Sequence, residues 1–169
     1  MISDSPYDAG ELVMRPRNGV IVGMAASVMM LAMLAALAPL SGLSHLEALS
    51  ALASIFASTS STSAAGDFHM LYGLGLHLIV GAVFGVLYYA CQQRVPARGL
   101  IFVGVFYGFV LWVAGSLVVG PIFGSQIREV VRSWPWLLGS LIYGLSLATA
   151  AVWSDNRRST EDIQVVPID

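Results

Sequence analysis

Uncharged, apolar stretches of about 20 residues recur four times along the chain, and all of its charge lies in the connections between them and in the two tails. At about 1.5 Å per residue, a helix of that length crosses a hydrocarbon core of about 30 Å. The first stretch lies between Arg17 and His45, and residues 19–40 are almost wholly Ala, Val, Leu, Ile and Met. The second lies between Asp67 and Arg94 and predicts a helix over 68–92. Arg98 and Arg128 bracket the third, predicted over 99–120 with its end near Gly120-Pro121, because proline has no amide hydrogen to continue a helix. The fourth is predicted over 135–153: Pro135 suits a first helical turn, and Ser154, Asp155 and Asn156 follow Trp153 as a stop. The pattern predicts an all-α membrane bundle of four transmembrane helices over residues 18–154, between polar tails at 1–17 and 155–169.

Two connections carry a helical period of their own. Leu46, Leu49, Leu52, Ala53 and Phe56 recur at intervals that put them on one face, predicting a short amphipathic helix at the membrane interface between helices 1 and 2. The Ser/Thr/Ala run at 58–66 reads as a return loop. In the other connection Ile127, Val130, Val131 and Trp134 share a face while Arg128, Glu129 and Arg132 point away, predicting a second short helix parallel to the membrane. Residues 1–14 and 159–169 lack periodicity and read as mobile tails.

Arginine placement predicts orientation, because short cytoplasmic segments retain positive charge during insertion. Arg15, Arg17, Arg94, Arg98, Arg157 and Arg158 fall on one side of the bundle, and Arg128 and Arg132 on the other. Both termini are therefore expected in the cytoplasm. Tyr88, Tyr89 and Trp153 then mark the inner interface and Tyr72, Trp134 and Trp136 the outer one, as aromatic belts do. Ala36-Leu37-Ala38 has the form of a signal-peptide cleavage site, but the apolar run before it exceeds a typical h-region and the segment before Arg15 is acidic, so the first helix is expected to be retained.

Composition narrows the function classes. Hydrophobic residues make up 57% of the chain and charged ones 11%, against roughly 25% charged in a soluble domain. All eight basic residues are arginines, the net charge is −2 and no basic stripe exists, which excludes a nucleic-acid footprint. A single cysteine, Cys91, excludes an internal disulfide framework. A faint internal repeat pairs Asn18-Gly19-Val20-Ile21 with Arg98-Gly99-Leu100-Ile101, and Leu78-Ile79-Val80-Gly81 with Trp136-Leu137-Leu138-Gly139. Two hairpins of the same orientation would be related by an axis along the membrane normal.

Gly19-x-x-x-Gly23, the interfacial segment at 51–56, the glycine-punctuated second helix with His77, Arg98-Gly99, Gly120-Pro121, and Gly139 with Gly144 together resemble an uncharacterised family of small bacterial four-helix inner-membrane proteins. The resemblance covers about residues 15–154. It implies a bacterial inner membrane and a four-helix fold, and it brings no catalytic residue with it.

Few residues could carry chemistry. Gly73, His77, Gly81 and Gly85 fall four apart in the second helix and stay near one face, while Gly104 and Gly108 mark the third helix and Gly139 with Ser140 the fourth. Small residues at this spacing let helix backbones approach, so these positions are expected to form helix-packing interfaces. His77 is the one candidate ligand. It could hold a b-type haem, with a methionine from the first span opposite it, or simply hydrogen-bond inside the bundle. Met24, Met29, Met30 and Met33 read as apolar filling. His45-x-Glu47 and Asp67-x-His69 flank the long connection, but residues two apart on a helix point about 200° from each other, so no metal site is expected there. No charged residue lies within a span, so neither a carboxylate proton path nor an ion-selective ring is visible, and nucleotide-binding, nucleophile-elbow and zinc-protease motifs are absent. The expectation is a non-catalytic accessory subunit of a larger bacterial membrane complex of respiratory or photosynthetic electron transfer, with no cofactor of its own, the lipid bilayer and other membrane subunits as partners, and no nucleic acid. A small oligomeric transporter or channel is the first alternative, and a haem-binding subunit using His77 the second.

Overall fold

A computed structural model of the chain describes residues 16–42, 66–92, 95–123 and 125–163, and these are helical almost throughout. The long helices are α1 (Pro16–Leu37), α2 (Gly66–Gln92), α3 (Leu100–Ala114) and α6 (Trp134–Ile163). A π-helical segment, Gly115–Val119, prolongs α3, followed by a short α4 (Gly120–Phe123) and by α5 (Ser125–Arg132). Among the described residues four stretches are long and apolar enough to cross a membrane: Asn18–Leu37, Leu71–Gln92, Leu100–Val119 and Trp134–Ser154. The predicted interfacial helix at 46–56, the return loop, and His45 and Glu47 lie outside the described residues.

Three ends depart from the expected ones. The α1 helix tightens into a 3₁₀ turn, Ala38–Ser41, and closes at Gly42, whose φ of 79° favours glycine; its amide donates to the Pro39 carbonyl at 3.2 Å. Pro121 does not end the third helical stretch, which continues through it to Phe123. The last helix runs through Ser154, Asp155 and Asn156 to Ile163. Polar residues weaken a helix interior only slightly.

The helices form a row in the order α2, α1, α6, α3. Thus α1 and α6 are the inner pair and α2 and α3 the flanks, an order that the chain sequence does not follow. The turn end of the bundle holds the 3₁₀ helix Ala97–Gly99 between α2 and α3, and α5 covers the opposite end. The core runs along the α1–α6 contact through Ala26, Met30, Leu34, Tyr143, Leu147 and Ala151. At the α5 end Val130 and Val131 turn inward while Arg128, Glu129 and Arg132 face out, as their spacing predicts. Trp134 does not share that buried face: it is exposed at the start of α6, and Pro135 and Trp136 are buried in its place.

Candidate functional site

Two glycine seams set the geometry. In the first, α1 lies directly on α2: a methyl group on Gly23 would meet Gly85 Cα at 3.0 Å, and one on Gly19 would meet Val86 Cα at 3.0 Å. In the second, α3 lies on α6: a methyl on Gly108 would meet Leu141 Cα at 2.9 Å, and one on Gly144 would meet Gly108 Cα at 3.0 Å. These are backbone-to-backbone contacts, the close approach that small residues four apart permit. Gly81 lies against Ser27 of α1, and Gly139 against Met30 at 3.2 Å from Cγ. The glycines at 81, 85, 104, 108 and 139 therefore face other helices of this same chain, and Gly73 is also buried.

The two seams correspond. Positions 19 and 23 play against 85 and 81 as 104 and 108 play against 144 and 140. This correspondence differs from the one suggested by the tetrapeptide matches: Gly19 is equivalent to Gly104 rather than Gly99, and Gly81 to Ser140 rather than Gly139. Apolar tetrapeptides match in several registers, whereas backbone contact tolerates only one. A two-fold relation between the hairpins would map the α1–α6 contact onto α3–α2. The first is tightly packed, but the second is made chiefly near the turn end. There the Tyr88 hydroxyl donates to the Leu100 carbonyl at 3.2 Å, the Tyr107 hydroxyl donates to the Phe84 carbonyl at 2.8 Å, and the Tyr88 and Tyr107 rings meet edge to face at 5.2 Å.

Above these tyrosines α2 and α3 part, leaving a cleft of about 430 Å³ where the pairing is broken. Its floor is Ser27 and Met30 of α1 with Trp136, Ser140 and Tyr143 of α6. Its walls are His77, Val80, Gly81 and Phe84 of α2 and, on the other side, Leu111, Ala114, Gly115, Val118 and Val119. Three of the last five belong to the π-helical segment, which the Ser116 hydroxyl fastens to α5 through the Val131 carbonyl at 2.9 Å. Such segments often accompany functional sites because they re-aim a helix wall.

Most polar groups at the cleft are already used. The Ser140 hydroxyl donates to the Trp136 carbonyl at 2.9 Å and the Tyr143 hydroxyl to the Gly81 carbonyl at 2.6 Å. His77 hydrogen-bonds the Ser27 backbone, yet its Nε2 has no partner. Trp112 Nε1, one residue beyond the wall at Leu111, is also buried without a partner.

Met30 and His77 line the same cleft, but His77 is bonded to the very helix that carries Met30. Cys91 is exposed near the turn end, away from the cleft. Asp67 and His69 fall within α2, and among the described residues no three His, Cys, Asp or Glu side chains gather as a metal site would require. Sequence reasoning singled out His77 but not Ser27, Trp136 or Tyr143. Tyr143 offered a signal: a tyrosine well inside an apolar span, far from an interfacial belt, needs a partner for its hydroxyl.

A family of unknown function, DUF6789, matches residues 13–162. The chain belongs to this family. The match takes in all four apolar helices, the glycine seams and the cleft. Neither a curated protein nor a solved structure matches the chain.

Proposed function

We propose that this protein is a non-catalytic accessory subunit of a larger bacterial inner-membrane assembly, of the kind that carries out respiratory or photosynthetic electron transfer. Both termini would be cytoplasmic, on the side that holds six of the eight arginines. The observation behind it is the state of α3. This helix is held along one seam, only 11% of its span is buried, and Phe102, Phe106 and Phe109 form an aromatic ridge along its outer face. A neighbouring transmembrane subunit would find there the exposed aromatic area that protein interfaces favour. The cleft supports the non-catalytic part of the reading: its lining has no carboxylate and no thiol, and the hydroxyls of Ser140 and Tyr143 are spent on carbonyls.

Extraction in mild detergent, followed by native electrophoresis and mass spectrometry of the band, tests the reading. Co-migration with other membrane proteins is expected. Migration at the size of a lone protomer, with no companion chain, would overturn it. A transporter formed by this bundle has less support, because the tyrosines at 88, 107 and 143 lie where the cleft would have to continue. A haem held by His77 would give the purified protein a Soret band, and a spectrum without one would remove that reading.

A further inference from the structure

We propose that the open cleft is one end of a hinged motion, in which α3, carrying α5 with it, closes onto α2. In the closed conformer Leu111 rests on Phe84, Gly115 on Val80 and Val119 on His77, and the cleft is shut. This goes beyond the subunit reading and does not depend on it, since both walls belong to one chain.

What fills the cleft is then α3 itself, and the reason is the correspondence between the two hairpins. Gly19 and Gly23 match Gly104 and Gly108, and Gly81 and Gly85 match Ser140 and Gly144, as the backbone contacts of the two seams require. Carried along the same helices, this register makes Ala26, Met30 and Leu34 of α1 the counterparts of Leu111, Gly115 and Val119 of α3. It makes Trp136, Gly139 and Tyr143 of α6 the counterparts of His77, Val80 and Phe84 of α2. The α1 and α6 residues are buried in the bundle, whereas their counterparts line the opposite walls of the cleft. The cleft is thus the unmade equivalent of the α1–α6 contact.

Three observations show that the contact can be completed. It has already begun: the Tyr107 and Tyr88 rings meet at 5.2 Å near the turn end, one turn before Leu111 and Phe84. In an antiparallel pair each further turn advances three or four residues on one helix and retreats as many on the other, which brings Gly115 to Val80 and then Val119 to His77. Next, the sizes fit. Met30 lies on Gly139, 3.2 Å from its would-be methyl at Cγ, and the counterparts are Gly115 and Val80, so a small residue again meets a larger one with the helices exchanged. The open conformer has room for a side chain at 115, where a methyl would stand 3.4 Å from Trp136 Nε1, whereas closure onto Val80 leaves room for little.

Last, the backbone departs from the repeat where the contact is missing. Residues 115–119 are π-helical, while their counterparts at 30–34 lie inside the α-helical α1. Such segments are rare and frequently accompany functional sites. Gly104 and Gly108, in backbone contact with α6, form the fixed end of α3, and α5 travels with the free end because it rests chiefly on the π-helical segment and α4.

The test uses the full chain in lipid nanodiscs, with Cys91→Ala and nitroxide labels on Leu71→Cys and Leu117→Cys. Both positions are exposed and neither lines the cleft. Pulsed electron resonance is expected to show two label-to-label distances, the shorter from the closed conformer. Gly115→Met sets two large side chains against each other and should remove the shorter distance. Gly115→Met/Val80→Gly rebuilds the Met30–Gly139 pair with the helices exchanged and should restore it. A single distance before either change, a shorter distance that survives Gly115→Met, or one that the double variant does not bring back would each overturn the proposal. The presence or absence of companion chains in detergent extracts leaves these expected distances unchanged, so the two readings fail separately.

Discussion

The Tyr143 hydroxyl of α6 donates to the Gly81 carbonyl of α2 at 2.6 Å, reaching past α1 to tie together two helices that otherwise scarcely touch. Gly81 is where three helices converge, because its Cα faces Ser27 of α1 and its carbonyl receives Tyr143. This bond holds α2 in place at the base of the cleft.

Tyr143→Phe removes that bond and keeps the ring. Hydrogen bonds between helices in a bilayer contribute about 0.6 kcal/mol on average and up to about 1.7 kcal/mol. A buried donor at short distance belongs near the upper value. The thermal midpoint in detergent should fall for Tyr143→Phe and not for Ser146→Ala, whose hydroxyl only bonds the Ile142 carbonyl of its own helix. Equal midpoints for the two variants would show that α2 is held by the seam alone.

Gly81→Ala should also destabilise, since the new methyl would lie 2.8 Å from Ser27 Cβ as well as against the Ser27 hydroxyl. Overpacking of this kind costs about 1–3 kcal/mol, and Gly81→Leu should cost more. Ser27→Gly removes the obstacle at a helix-propensity cost of about 0.5 kcal/mol. The double variant Gly81→Ala/Ser27→Gly should therefore melt higher than the sum of the two single losses predicts. Leu87→Ile, at an exposed position of α2, is the control and should leave the midpoint in place. Additive losses would mean that Ser27 and Gly81 do not meet.

Much of this architecture was legible in the residues. Four uncharged runs became four apolar helices, with the apolar spans of α2 and α3 found within about three residues of their expected ends, and the alternation around Arg128 and Val131 marked the buried face of α5. Glycine spacing marked the close contacts at 81, 85, 104 and 108. The row order α2, α1, α6, α3 was not legible, for a physical reason. A soluble helix advertises its inner face by hydrophobicity, but a helix that is apolar all round does not, so the side of α1 that meets α6 carries no mark. The cleft was hidden for the same reason: it is the lack of a contact between two helices, and Val118 or Phe84 would read identically against lipid, protein or a ligand. The π-helical segment left no trace, as its residues Gly115, Ser116, Leu117, Val118 and Val119 fit an ordinary helix equally well.

Orientation can be checked with the single cysteine. Cys91 is exposed beside the turn that carries Arg94 and Arg98, which arginine placement puts in the cytoplasm. A membrane-impermeant maleimide should label it in inverted vesicles and not in intact cells. In a Cys91→Ala background, Glu129→Cys on the exposed face of α5 should show the reverse pattern. The two sites labelling from the same side would contradict a four-span topology.

Gly108 and Gly115 fall two turns apart on α3, and their surroundings show how the cleft opens. A methyl on Gly108 would collide with the α6 backbone at Leu141, whereas one on Gly115 would only touch the Trp136 ring nitrogen at 3.4 Å, an ordinary van der Waals distance. Helix α3 thus lies on α6 at Gly108 and has moved off it by Gly115. On the other flank Gly75 has nothing within 4 Å of its would-be methyl, while Gly85, nearer the turn end, is in backbone contact. Helix α3 is therefore seamed near the turn end and stands off toward the α5 end, whereas Gly75 of α2 points away from the face that carries Gly81 and Gly85. Glycine is then not needed at Gly115 for space, nor for conformation, since φ of −57° and ψ of −46° suit any residue. Gly115→Ala and Gly75→Ala should each stabilise the bundle, by up to about 1 kcal/mol from helix propensity. Gly108→Ala should lower its thermal midpoint. If Gly115→Ala destabilised as much as Gly108→Ala, α3 would be packed on α6 along its whole length, and the cleft would have to be narrower than its lining residues make it.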